Sequence, residues 1–286
     1  MVRWTFHACG MLLMALAVLA MTDGARAEDP RPVGDVKGQW ALVKGFSDEF
    51  NAPTVDTAKW DNDPNDWGVW SWEPHNAYTK AGALHIRMEH APHTRGKQKL
   101  FYKSGILKSR ESVQYGYFEA RIKGCSRFPG ACPAFWVIGN AKVDGKRVGA
   151  EIDFMEIQEV RGNVQQVDCN LHGAYFKNGK KVAIHERRHW IAPWDPRDDY
   201  HVYACLWRED TIIWYVDGHS VAEARNWHWH IPLQIHLSMG LRTPLRLHKG
   251  AHGEGKVTLP NPEASTGEGF PTEMLVDYVR VWRRAN

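Results

Sequence analysis

From Phe46 onward the chain alternates apolar and polar positions with a period of two. Ala83-Leu-His-Ile-Arg-Met88, Tyr115-Gly-Tyr-Phe-Glu-Ala-Arg-Ile122, Ala134-Phe-Trp-Val-Ile138, Tyr203-Ala-Cys-Leu-Trp207, Thr211-Ile-Ile-Trp-Tyr-Val216 and Met274-Leu-Val-Asp-Tyr-Val-Arg-Val-Trp282 all follow it. Each run is rich in β-branched or aromatic residues and is bounded by Gly, Pro, Asn or Asp, which predicts strands. Asp217-Gly218 after Trp-Tyr-Val predicts a tight hairpin turn. No helical periodicity longer than two turns interrupts the pattern, and no internal repeat is present. Many short strands without intervening helices predict an all-β sandwich of two sheets, as one domain running from about residue 40 to 286. Residues 28–45 are rich in Pro, Gly and charge and are expected to be loosely held.

The first 27 residues have a different pattern. Arg3 precedes an apolar run from Ala8 to Met21, and Ala25-Arg26-Ala27 offers small residues for signal peptidase, with cleavage expected before Glu28. The run is shorter than the ~20 residues that span hydrocarbon. Cys9 lies within it without a lipobox. A secreted or periplasmic protein without stable membrane association is expected. Removing Arg3, Asp23 and Arg26 takes the formal charge from +3 to +2, too near neutral to indicate a nucleic-acid partner.

Four cysteines remain after such processing. They allow three pairings in an oxidising compartment, of which Cys125–Cys132 across a short Pro/Gly loop is the simplest. None has metal-site spacing. The 14 Trp are more informative, because several lie in loop-like segments beside polar residues. Indoles surplus to a core suit a sugar-binding groove, where the apolar face of a pyranose stacks on the ring. Single-stranded nucleic acid would require a basic groove as well.

Gly149-Ala-Glu151-Ile-Asp153-Phe-Met-Glu156 concentrates the candidate chemistry. On a regular strand Glu151 and Asp153 share a face. Strict alternation would bury Glu156 on the apolar side, at considerable cost. A β-bulge at Phe154-Met155 adds one residue and returns Glu156 to the face of the other two. Three crowded carboxylates must raise at least one pKa, which is the condition a retaining glycosidase needs: one carboxylate ionised as nucleophile, one protonated as acid. A calcium loop would carry Gly and Asn between its acids instead of Ile, Phe and Met. A merely solvated acidic face would carry basic partners.

These residues resemble the bulged signature of glycoside hydrolase family 16, which includes laminarinases, agarases, porphyranases and κ-carrageenases. Phe46-Ser-Asp-Glu-Phe50, Trp70-Ser-Trp72-Glu-Pro-His-Asn76, Ser104-Gly-Ile-Leu-Lys-Ser-Arg110, Tyr115 to Arg121, Pro133-Ala-Phe-Trp136 and Val276 to Trp282 are similar to other family segments in order and spacing. The resemblance implies a β-jelly roll with a concave substrate groove suited to internal cleavage. It implies Glu151 as nucleophile, Asp153 as assisting carboxylate and Glu156 as acid/base, with no cofactor in the reaction. It also implies His172 beside the acid/base, and in some relatives a structural calcium, for which Glu49 and Asp277 are the matching positions here.

Trp72, Asn76 and Trp136 are the expected sugar contacts. At least one of Trp67, Trp70 and Trp72 should face the groove. Residues 224–253 contain no Asp or Glu but carry Arg225, Arg242, Arg246, Lys249 and five histidines. His228 and His230 have no third residue spaced to complete a metal site. Such a stretch suits an anionic ligand, and guanidinium is shaped for sulfate, so Arg242 and Arg246 are expected to bind substrate. Ser238-Met-Gly-Leu-Arg242-Thr-Pro244 resembles κ-carrageenases more than agarases or laminarinases. The expected activity is endo-hydrolysis of β-1,4 bonds in a carrageenan-type galactan by a monomer, with furcellaran, porphyran, agarose and laminarin as related substrates. A transglycosylase would use the same residues. A non-catalytic polysaccharide-binding jelly roll is the alternative of a different class, and it would not need three crowded carboxylates.

Overall fold

A computed structural model describes residues 1, 30–34, 36–158, 162–177, 179–249 and 257–285. The expected leader lies outside the described residues except for Met1. The chain divides into a unit Met1–Pro30 and a unit Arg31–Asn286, and the second carries the fold. No helix among the described residues is long and apolar enough to cross a membrane.

Two sheets, antiparallel except where Ser71–Trp72 runs parallel to Gln98–Ser104, pack face to face. Among the described residues one has ten strands and the other nine. The nine-stranded sheet runs in the order Lys180–Glu186, Leu171–Lys177, Lys146–Ile157, Ala131–Val143, Gln234–Leu241, Ile106–Ser109, Trp60–Asp61. In the ten-stranded sheet, Gly116–Lys123 lies between His201–Trp207 and Thr272–Arg284. This is the all-β jelly-roll sandwich expected. The Asp217-Gly218 turn joins Thr211–Val216 to His219–Arg225, with φ of 47° and 80° as a tight hairpin turn demands.

Aromatic rings fill the space between the sheets. Phe154 packs on Phe135 of its own sheet at 4.9 Å and on Phe118 of the opposite sheet at 5.2 Å. Residues whose neighbours in sequence face the cleft, such as Ile152, Val137 and Leu237, are fully buried here.

Three expectations change. Trp40–Leu42, within the segment expected to be loosely held, is a strand paired with Trp282–Arg284. Val33 N–H donates to Glu119 at 2.8 Å and the Tyr117 hydroxyl donates to the Val33 carbonyl. Val36, Trp40 and Leu42 cover an apolar patch of Tyr117, Leu206, Tyr215 and Trp282 on the outer face, which gives this segment a reason to dock. The four described cysteines are buried free thiols. Cys125 is directed at the Arg127 carbonyl and Cys132 at Glu156, so each meets its own partner and not the other. At the proposed calcium positions, both oxygens of Glu49 accept from Arg280 at 2.8 Å, and Asp277 accepts from Arg121 at 2.9 Å. A guanidinium beside each carboxylate already supplies the charge a calcium ion would bring.

Because Phe154 joins both sheets beneath the acidic strand, Phe154→Ala should cost about 3–5 kcal/mol of unfolding free energy, measured by urea denaturation.

Candidate active site

The strand Lys146–Ile157 contains the bulge. Asp153 pairs with Trp136 and Met155 with Phe135, which leaves Phe154 as the extra residue. Glu156 thereby regains the face of Glu151 and Asp153, and all three line one cleft of about 360 Å³. Indole N–H groups secure the backbone. Trp214 donates to the Asp153 carbonyl at 2.7 Å, and Trp229 donates to the carbonyls of Glu151 and His172, both at 2.9 Å. The Asp153 N–H reaches the Asn170 carbonyl at 2.9 Å. The irregular backbone therefore has its polar groups satisfied.

Trp67, Trp70 and Trp72 all line the cleft, joined edge to face with centroids 5.0 and 5.3 Å apart. The indole N–H groups of Trp70 and Trp72 are buried without protein partners. Gly68 (φ 74°) permits this arrangement, because a Cβ there would stand 2.9 Å from the Trp70 ring. Arg95, at the end of the strand Ala83–Arg95, donates to the Trp70 carbonyl at 2.8 Å. Trp136 faces the same space. Its N–H reaches Ser238 at 3.1 Å and its ring stacks on His236 at 4.5 Å. Asn76 is placed elsewhere: it is buried at the end of a short 3-10 turn and is not part of the cleft wall.

Asp153 is almost fully buried, and burial holds its carboxyl well above the ordinary range, with the charge of Glu156 adding to the effect. Burial, then the charge of Asp153, pushes Glu151 up to about 8. The pair therefore keeps a proton at neutral pH. His172 stands directly across the strand from Glu151, and its Nε2 lies 3.2 Å from Asp153. The histidine expected beside Glu156 thus sits at the other two carboxylates, because the register of Leu171–Lys177 puts it opposite Glu151. Polar atoms of Glu151, Asp153 and His172 lie within 4.8 Å of one another, close enough to hold a cation, and no other such trio occurs among the described residues. The shared proton and the depth of Asp153 suit hydrogen bonding better.

Glu156 has a separate set of partners. Arg242 Nη2 donates to it, as do Gln158 at 3.0 Å and Asn170 at 3.4 Å. Arg242 also donates to Gln158 and to the Leu241 carbonyl, so all three of its nitrogens are engaged within the protein. Arg246 differs. It lines the cleft without a carboxylate partner among the described residues, its Nε is buried and unbonded, and burial followed by the charge of Arg242 lowers it to about 10.

A family model described as "Beta-porphyranase A-D, GH16 domain" matches residues 40–284. The chain belongs to glycoside hydrolase family 16. Among its relatives, the κ-carrageenase of Pseudoalteromonas carrageenovora is 36% identical over 94% of this chain and 71% of that protein. The crystal structure of that enzyme with an oligotetrasaccharide of κ-carrageenan superposes with a TM-score of 0.81 at 35% identity, covering 90% of this chain and all of that one. A κ-carrageenase of Zobellia galactanivorans gives 0.79 at 32% identity over 90% and 100% of the two chains. Porphyranase B of the same organism, at 20% identity and a TM-score of 0.70, shares the fold.

In this family 16 enzyme the basic stretch 224–253 is dispersed by the fold. His228 bonds the Gly149 carbonyl and His230 approaches Tyr115, so they form no metal pair. His236 is buried behind Trp136, and its pKa falls to about 3 by burial. Sequence reasoning missed Cys132, Ser238 and Thr258 in the cleft wall, and Gln158 and Asn170 on Glu156. It also missed the clamps from Trp214 and Trp229, which look in sequence like ordinary core residues. A neighbouring cleft of about 300 Å³ shares Ile138 and Glu151 with the first and continues past His172 to Lys181 and His185.

Replacing Asp153 by Asn removes the nearest negative charge from Glu151. The Glu151 carboxyl should then titrate at lower pH than the wild-type value of about 8, as read from the chemical shift of its labelled carboxyl carbon.

Proposed function

We propose that this family 16 hydrolase cleaves β-1,4 bonds within a sulfated red-algal galactan of the carrageenan type, by double displacement with retention of configuration. The observation that carries this reading is a trio of carboxylates in a cleft whose wall also holds Arg246, a half-buried arginine with no carboxylate partner among the described residues. The named activity of the κ-carrageenase relatives, at 36% and 35% identity, supports the same substrate class. The porphyranase description of the matching family model keeps porphyran as the nearest alternative.

Glu151 attacks the anomeric carbon while Glu156 protonates the leaving oxygen. Glu156 then takes a proton from the water that hydrolyses the glycosyl-enzyme. Asp153 holds the proton it shares with Glu151 and donates that hydrogen bond to the ionised nucleophile. His172, against Asp153, balances the negative charge. Arg242 orients Glu156 instead of binding sulfate, since its nitrogens are already engaged. Of the two arginines Arg246 takes the sulfate role, and Trp72 and Trp136 carry the sugar faces. The protein acts as an exported monomer after loss of residues 1–27.

Release of reducing ends from κ-carrageenan, furcellaran, porphyran, agarose and laminarin tests the reading, with Glu151→Gln as control. Release from κ-carrageenan or furcellaran that vanishes in the variant is expected. Release from porphyran alone would move the enzyme to the porphyranase branch, and release only from agarose or laminarin would sink the sulfate argument. Arg246→Ala should raise KM on the sulfated polymer about tenfold or more, the worth of one charge-assisted hydrogen bond. It should leave KM on a desulfated polymer unchanged.

The pH dependence follows from the proton on the Glu151–Asp153 pair. The nucleophile must be ionised, so kcat/KM rises with pH through the titration of Glu151. Asp153→Asn lowers that titration and should move the acidic limb of the profile to lower pH. The maximal rate should fall about a hundredfold or more as the assisting carboxyl is lost.

A further inference from the structure

Beyond the second cleft, the nine-stranded sheet extends as two long neighbouring hairpins, Ala131–Val143 with Lys146–Ile157 and Leu171–Lys177 with Lys180–Glu186. Their cleft-side positions follow from the period of two. Asn140 and Gly149 line the cleft beside Glu151, so Lys142 and Arg147, two residues further out on each strand, share that face. Lys181 lines the cleft directly. The register sets Lys142 opposite Arg147. Like charges placed opposite each other across a ladder repel, and Asp144, in the turn that joins the two strands, is the nearest acid in sequence. Lys142, Arg147 and Lys181 are exposed, and none has an ion-pair partner among the described residues. Lys146, Lys177 and Lys180 add charge near the hairpin ends. Glu186, the acidic residue of these strands nearest to Lys181 in sequence, is taken by Arg188 and Trp227.

The floor leading to this basic surface is made of small residues. Gly149, Ala174 and Ala183 leave the sheet open between His172 and Lys181, in the cleft of about 300 Å³ that begins at Glu151. Phe176, 37% exposed, pairs with Lys181 and supplies an apolar ring at the end of the floor. Four residues along a strand place Arg147 about 13 Å from Glu151. Arg246 lines the first cleft and not the second, so cationic groups border both parts of the groove.

We infer that Lys142, Arg147 and Lys181 form a distal anion-binding platform, which holds sulfate groups of the polysaccharide several sugars from the bond being cleaved. This inference rests on the sulfated-galactan reading and adds a second set of contacts to it. A surface of this kind binds a long polyanion much better than a short one. It also loses its grip as salt rises, because exposed charges are screened over about 8 Å at physiological ionic strength. Its contribution is to binding and not to the chemical step, since it touches substrate far from the carboxylates.

The test is a triple variant, Lys142→Gln with Arg147→Gln and Lys181→Gln, compared with the wild-type chain. All three side chains are exposed, and an unchanged melting temperature checks that the fold is intact. On polymeric κ-carrageenan the variant should show a KM raised about tenfold, three exposed contacts of modest strength combined, with kcat preserved and a weaker dependence of kcat/KM on salt. Affinity electrophoresis in gels cast with κ-carrageenan or neutral agarose reads binding independently of turnover. Wild-type protein retarded by κ-carrageenan, with the variant retarded less, supports the platform. Equal retardation and equal KM would overturn it while leaving the proposed function standing. Wild-type protein retarded by agarose alone would overturn both.

Discussion

One extra residue in one strand organises the active centre. Phe154 pairs with nothing across the ladder, and that irregularity puts Glu156 on the face of Glu151 and Asp153 while Phe154 keeps its ring between the sheets. A bulge beneath a charged cluster would be costly if its backbone groups lacked partners. Here the Asp153 carbonyl has Trp214 from the opposite sheet and the Asp153 N–H has the Asn170 carbonyl. Trp229 clamps the strand two residues earlier. The reactive geometry is therefore built into the packing of the sandwich and does not depend on a flexible loop.

The electrostatic arrangement follows from that geometry. Burial and mutual repulsion hold a proton on the Glu151–Asp153 pair, whereas Glu156, a short distance along the strand, lies among donors from Arg242, Gln158 and Asn170. Carboxylates that are chemically alike are thereby placed in unlike surroundings. Arg242 and Arg246 illustrate the same rule among the bases. They stand four residues apart in sequence, yet one is consumed in orienting a carboxylate and the other has no carboxylate partner in the cleft.

Much of this was legible in the residues. The period of two identified the strands, Asp217-Gly218 the hairpin, and the cost of burying Glu156 the bulge. The errors also have physical causes. Asn76 follows the cleft-lining tryptophans in sequence, but a short 3-10 turn buries it. Cys125 and Cys132 are close along the chain, yet each is held by a different neighbour. The segment before residue 45 reads as polar and loose, while Val36, Trp40 and Leu42 meet an apolar patch contributed by strands distant in sequence. His172 was expected at Glu156, and strand register put it opposite Glu151.

Sequence alone determined the fold class and the crowding of three carboxylates, because alternation, turn chemistry and like charges close in the chain are local properties, and the resemblance of several segments pointed to the family. Tertiary structure decided which cations are free. An arginine's availability depends on what lies across the cleft, and no spacing rule records that Arg242 meets Glu156 or that Arg246 meets no acid among the described residues. The same holds for the two lysine-bearing hairpins. Lys142 and Lys181 are far apart in the chain, and only strand pairing through Lys146–Ile157 brings them to one end of the same groove.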